Sequence, residues 1–266
     1  MSTPISLSAR CEAARRAVLA QTELMHRELG RARTSWKPDG TRVTTADVAI
    51  SENIFRELSA AFPEDQFFSE ELSHDGAPLP VTARYAWVLD PIDGTNNFAL
   101  GIPHCAISLA LLEQGRPVFG AVYDLAGRQL IHGGAGQGVY CGDRPVALRG
   151  GNLTAQSMIG FHSPYDKRYA PHAGLLAGNY KIRGLGSSTL HLAYVAAGLI
   201  DAVVDHNVKV WDIAAAVPLV LGAGGIVDYV SPSPFPLQQF DLRMERIFYV
   251  AGTADACRRL RELLQA

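Results

Sequence analysis

The sequence lacks a run of about 18 apolar residues, the length that a membrane-crossing helix needs. Its best candidate, residues 213–230, is broken by Pro218 and by glycines. The opening stretch MSTPISLSARCEAARRAV has no long apolar core, so no signal peptide is expected. Cysteine is scarce: Cys11, Cys105, Cys141 and Cys257 lie far apart with no C-x-x-C pair, which excludes zinc-ribbon and thioredoxin readings. Charge of one sign is lacking too. Lys and Arg (24) nearly balance Asp and Glu (26), the net charge is -2, and no basic block offers a nucleic-acid or polybasic membrane footprint. A cytoplasmic protein with reduced thiols is expected.

Several catalytic signatures are missing as well. The eight histidines form no H-E-x-x-H pair, and no G-x-S-x-G marks a serine hydrolase. The run Gly133-Gly134-Ala135-Gly136-Gln137-Gly138 lacks the Lys-Ser/Thr of a P-loop and leads into Val139-Tyr140-Cys141, so it reads as a hairpin turn. His104, His132 and His191 flank or lie within apolar elements and read as structural. What is present suffices for a large core: 266 residues, 48% of them apolar, in one large or two modest domains.

The pattern mixes helices with a meander and then alternates strand and helix. Residues 5–30 read as one helix. Residues 37–42 read as a loop, and Thr44-Thr45-Ala46-Asp47 as a cap for a second helix running to about Ala61, with Ile50, Ile54 and Leu58 on one face. Tyr85-Ala86-Trp87-Val88-Leu89 is a buried strand that stops at Asp90. Runs at 105–112, 117–123, 129–133 and 138–141 form an antiparallel meander. A helix over 188–199, a strand over 201–205, a helix over 212–222, a strand over 226–230 and a final helix capped by Thr253 complete the reading, with 151–184 less regular.

The densest chemistry is Asp90-Pro91-Ile92-Asp93-Gly94-Thr95-Asn96-Asn97-Phe98. Asp90 leaves the carboxyl end of a strand, where open sheets place ligands. Two acids across a rigid turn can share hard cations. Free N–H groups at Gly94 and Thr95 make an anion site beside them. Cations next to an anion site suggest a phosphate ester. Read blandly, Asp90 and Asp93 are turn residues, Ser69-Glu70-Glu71 is a solvated charge pair, Asp212 complements a helix dipole and Asp47 closes a capping box.

Glu70-Glu71, the Asp90–Phe98 block and Trp211-Asp212, in this order, resemble the inositol monophosphatase family, magnesium-dependent and lithium-sensitive phosphomonoesterases. Val43-Thr44-Thr45-Ala46-Asp47 is similar to its N-terminal catalytic stretch. The resemblance implies an α+β fold of layered αβαβα sugar-phosphatase type. Residues 1–145 would supply most metal ligands, and residues 146–266 Asp212 and the substrate wall. It implies that Glu70, Asp90 and the Ile92 carbonyl hold one Mg²⁺, that Asp90, Asp93 and Asp212 hold a second, and that a third could rest on Glu70. Thr95, hydrogen-bonded to Asp47, would position and help deprotonate the attacking water, and Gly94 and Thr95 N–H groups would hold phosphate oxygens.

On the substrate side it implies contacts from Gly186, Ser187 and Asp205. Gly186-Ser187-Ser188 is equally readable as an ordinary helix start. Asp205 stands where inositol phosphatases carry a Glu, and Lys209 where they often carry His. The expected substrate is inositol monophosphate or a similar polyol phosphate. Histidinol phosphate is an alternative, because the Lys37–Asp47 region resembles such relatives and Asp205 could pair with an ammonium; a nucleotide 3'-phosphate is another. A homodimer is expected from the resemblance. A non-enzymatic role, binding RNA or transcription machinery, is opposed by the intact acids and Thr95.

Overall fold

A computed structural model describes residues 6–37, 40–71 and 77–265. Pro38 and Asp39 of the predicted loop lie outside the described residues, as do residues 72–76 after Glu71. In chain order the elements are helices α1 (Leu7–Leu19) and α2 (Thr22–Glu28), strands β1 (Thr34–Trp36) and β2 (Arg42–Thr44), α3 (Thr45–Ala61), β3 (Gln66–Ser69), β4 (Leu79–Pro80), β5 (Tyr85–Asp93) and α4 (Thr95–Ala99). Then come β6 (Ala106–Glu113), β7 (Arg116–Asp124), β8 (Gln129–Gly134), β9 (Gly138–Cys141), β10 (Arg144–Val146), β11 (Met158–Phe161), α5 (Ala170–Asn179) and β12 (Lys181–Arg183). The chain ends with α6 (Ser188–Ala196), β13 (Ala202–Val208), α7 (Val210–Ile213), α8 (Ala216–Gly222), β14 (Ile226–Tyr229), β15 (Gln239–Phe240), β16 (Ile247–Gly252) and α9 (Ala254–Leu264).

Two sheets carry the architecture. A seven-stranded sheet has the order β10-β9-β8-β7-β6-β5-β3, and a five-stranded sheet the order β12-β11-β13-β16-β14. Helices α1 and α3 pack on one face of the first sheet, α6 and α8 fill the space between the sheets, and α5 and α9 cover the second. This is the expected five-layer αβαβα arrangement. The alternation of side chains along each strand accounts for it. In β6, Ile107, Leu109 and Leu111 join the core beneath α1 and α3, whereas Ala106, Ala110 and Leu112 join the core between the sheets. In β16, Tyr249 and Ala251 face that inner core while Phe248 and Val250 face the one beneath α9. Strands apolar on both faces need cover on both faces.

The meander, the helix ending at Ala61, the 133–138 hairpin turn and the Thr253 cap appear as read. Two helices differ. Residues 5–30 form two helices because the Thr22 hydroxyl takes the Leu19 carbonyl at 2.9 Å, competing with the backbone ladder. The 212–222 helix is two pieces, α7 and α8, since Pro218 has no N–H to offer four residues back. Strands β1 and β2, on either side of the expected 37–42 loop, pair antiparallel, with Thr34 opposite Thr44 and Trp36 opposite Arg42.

Candidate active site

Asp90 and Asp93 are an odd number of residues apart, so a regular strand would send them to opposite faces. The pairing of β5 with β6 slips between these two positions, and such a bulge re-aims side chains. Asp90, Asp93 and Asp212 each bring a carboxylate oxygen within 4.8 Å of the others. They come from the carboxyl end of β5, between β6 and β3 in the first sheet, and, 119 positions after Asp93, from α7. All three belong to one wall of a cleft of about 750 Å³, whose lining also includes Glu70, Ile92, Gly94, Thr95, Gly186, His162, Ser188 and Asn207.

Each carboxylate is fixed from behind. Asp90 accepts from the Ile92 amide at 3.1 Å. One Asp93 oxygen accepts from the Ser187 hydroxyl and the Thr189 amide, both at 2.6 Å. Asp212 accepts from the Lys209 amide at 2.7 Å, and its carbonyl takes the Thr189 hydroxyl at 2.7 Å. The N-terminus of the buried helix α6 therefore grips both Asp93 on β5 and the backbone of Asp212 on α7. Gly94 turns the chain with φ +90°, and a Cβ there would stand 2.9 Å from the His104 carbonyl oxygen. Asn97, quoted in the motif but given no role, donates to the carbonyls of His104 and Leu185 at 2.7 Å each, tying the turn to the Gly186 loop.

Electrostatically the cluster is frustrated. Burial pushes Asp90 and Asp212 well above the ordinary carboxylate range; next come Glu70 and Asp93 around Asp90, and Asp93 and Glu70 around Asp212. Asp93 is also raised by burial, against its hydrogen bonds from Ser187 and Thr189. Asp47 is pushed up to about 7, chiefly by burial. Burying so many acids is tolerable when a cation lies among them. The donors are all hard oxygens, which suits Mg²⁺ rather than a soft metal.

Some expected residues sit differently. Glu70 faces Lys37, whose ammonium binds it at 2.6 Å and Glu71 at 2.8 Å. The expected Thr95–Asp47 hydrogen bond is absent: the Thr95 hydroxyl donates to the Ile92 carbonyl at 2.9 Å. Asp47 instead closes a capping box with Thr44, and its buried Oδ1 has no partner. Asp205 and Ser187 are fully buried. Asp205 lies behind Ser188, whose hydroxyl donates to it at 2.8 Å and meets His162 Nδ1 at 3.1 Å. The cleft wall here is Ser188, His162 and Asn207. No motif in the sequence marked His162 or Asn207. His162, His191 and Asp205 also approach one another closely, but His191 Nε2 is taken by the Leu185 amide at 3.0 Å, so this is a hydrogen-bonded wall.

The chain as a whole has counterparts among known proteins. The family model described as "Inositol monophosphatase family" matches residues 6–263. The chain belongs to the inositol monophosphatase family. Members of this family are phosphatases, that is, phosphoric monoester hydrolases. An inositol-1-monophosphatase of Mesorhizobium japonicum is 36% identical over 208 residues, 75% of this chain and 76% of that one. A Nus factor SuhB of Pasteurella multocida is 32% identical over 200 residues, 73% and 74% of the two chains. The crystal structure of the extragenic suppressor protein suhB from Bartonella henselae superposes with a TM-score of 0.84 at 27% identity, covering 97% of this chain and 98% of that one.

Proposed function

We propose that this inositol monophosphatase family member hydrolyses a small polyol phosphate, of which inositol monophosphate is the expected form, with Mg²⁺ as cofactor. The observation that carries the reading is the meeting of three carboxylates, the buried Asp90 and Asp93 and the half-buried Asp212, at one cleft. With Glu70 and the Ile92 carbonyl they would hold two or three ions. Bound cations would offset the charge of the ester and lower the pKa of water.

The chain's own groups do the rest. The Gly94 and Thr95 amides hold phosphate oxygens, since both residues line the cleft at the start of α4. Thr95 Oγ1 positions the attacking water, and Asp47, whose buried Oδ1 is unpartnered and whose pKa is pushed up to about 7, accepts the proton once the Thr95 hydroxyl turns to it from the Ile92 carbonyl. Water oxygen bonds to phosphorus, the ester oxygen leaves with the electron pair of the P–O bond, and a solvent proton neutralises the alcohol. The transition state is loose, so placement of donors matters more than covalent chemistry. Glu70, which Lys37 holds at 2.6 Å, would leave that pairing to serve as an ion ligand.

The buried place of Asp205 supports a neutral polyol over histidinol phosphate, because the wall offers Ser188, His162 and Asn207 rather than a free carboxylate for an ammonium. Phosphate release from inositol 1-phosphate, histidinol phosphate and adenosine 3',5'-bisphosphate, with magnesium or with chelator, tests the reading. No magnesium-stimulated release from any ester would overturn it and favour a binding partner of the transcription machinery.

A further inference from the structure

The charges of the cleft are segregated. Its acids gather at the metal-ligand wall, while its cations come from the β1–β2 hairpin, from Lys209 and from the turn before β16. Most of these cations are engaged. Lys37 is held by Glu70 and Glu71. The Arg42 guanidinium lies over the Trp36 ring at 4.6 Å. Lys209 donates its ammonium to the carbonyls of Leu242 and Met244. Arg243 and Arg246 are different. Both line the cleft and are exposed, and neither has a carboxylate partner among the described residues; Arg246 donates only to the Asn207 carbonyl, at 3.3 Å.

The turn that carries them is built to stay in place. The Arg243 amide donates to Asp241 Oδ1 at 2.8 Å and the Met244 amide to the Asp241 carbonyl at 3.1 Å. Lys209, three residues before Asp212, clasps the same turn, and the Val210 amide meets Met244 Sδ at 3.4 Å. The residue that stands where relatives often carry His therefore fastens an arginine-bearing turn to the helix that bears a metal ligand.

We propose that the substrate carries a second anionic group, a phosphate or a carboxylate, held by Arg243 and Arg246 while the ester phosphate lies at the carboxylates. A guanidinium presents paired donors that match either oxyanion. The proposal rests on the phosphatase reading and narrows it to polyol bisphosphates or phosphorylated hydroxy acids. A cationic substrate is disfavoured by the same two charges.

The test is steady-state kinetics of the full chain with magnesium at low salt, on three esters: a neutral polyol monophosphate, the corresponding bisphosphate and a phosphorylated polyol acid. The wild type is expected to show kcat/KM about tenfold or more higher for one or both doubly anionic esters, a gap that narrows with salt. The bisphosphate and the acid separate phosphate from carboxylate as the second group. In R243Q/R246Q the ratio of doubly anionic to neutral ester collapses toward one. Equal kcat/KM on all three esters in the wild type overturns the proposal without needing the variant, and so does a variant in which the ratio persists. Absence of hydrolysis of every ester would instead overturn the phosphatase reading.

Discussion

Adding magnesium to the metal-free protein is the perturbation that the cluster constrains most tightly. Asp90, Asp93 and Asp212 hold carboxylate oxygens within 4.8 Å of one another. At an effective dielectric constant near 20, each ionised pair at that separation repels by about 3 kcal/mol. The protein escapes by holding protons, which is why burial and neighbouring acids raise Asp90 and Asp212 so far. A divalent ion replaces those protons and binds the folded state alone. At a hundred times its dissociation constant it adds about 2.7 kcal/mol. A chain of 266 residues unfolds with an entropy near 0.6 kcal/mol/K, so Tm rises by about 5 °C. Differential scanning calorimetry at pH 7.5, with magnesium against chelator, reads this directly. Asp90→Asn has the opposite signature: the metal-free protein gains stability because a buried carboxyl no longer has to be kept protonated at that pH, the magnesium-induced shift disappears, and turnover is lost. A wild type whose Tm ignores magnesium, or an Asn variant that keeps the full shift, refutes the reasoning.

Other consequences are separate. Ser187→Ala removes both a hydrogen bond to Asp93 and the cap of α6 at the Leu190 amide, and should cost about 1–3 kcal/mol in urea unfolding while weakening magnesium binding in calorimetric titration. Gly94→Ala forces a side chain into a left-handed turn against the His104 carbonyl, so circular dichroism should report a lowered Tm and the phosphatase assay a loss of activity. Acid should destabilise the fold through two buried histidines. Burial drives His191 and His206 down to about 3, so the unfolded chain binds protons that the folded one refuses. Their stabilising contribution is complete above about pH 6.5 and falls as pH drops from there toward 3, by several kcal/mol in all. His191→Gln should flatten that limb of a stability–pH profile, and an unchanged slope would count against the assignment.

How much of this was legible in the sequence depends on whether the signal was local. Strands β5 to β9 were readable because apolar runs alternate with turns, and Asp90 and Asp93 because they end one such run. Their convergence on Asp212 required only an ordered set of motifs. The bulge that lets Asp90 and Asp93 share a face left no trace in residue type. That Asp205, the expected cleft contact, lies buried behind Ser188 was hidden for a similar reason: an acid that accepts from a neighbouring serine is indistinguishable, in sequence, from one that meets a ligand. His162, Asn207, Arg243 and Arg246 reach the cleft from isolated positions of the second half, where no spacing rule connects them to the rest. Lys37 was placed in a loop, but its pairing with Glu70 joins segments that the chain order keeps apart.

The first turn of α6 clasps Asp93 from the first sheet and the Asp212 segment, helix α7, which follows a strand of the second. On the proposed ligand set, the metal site is complete only in a chain whose central helical layer has closed on both sides. A ribosome-bound chain still short of residue 212 owns no reactive centre, so catalytic competence doubles as a report that assembly is complete.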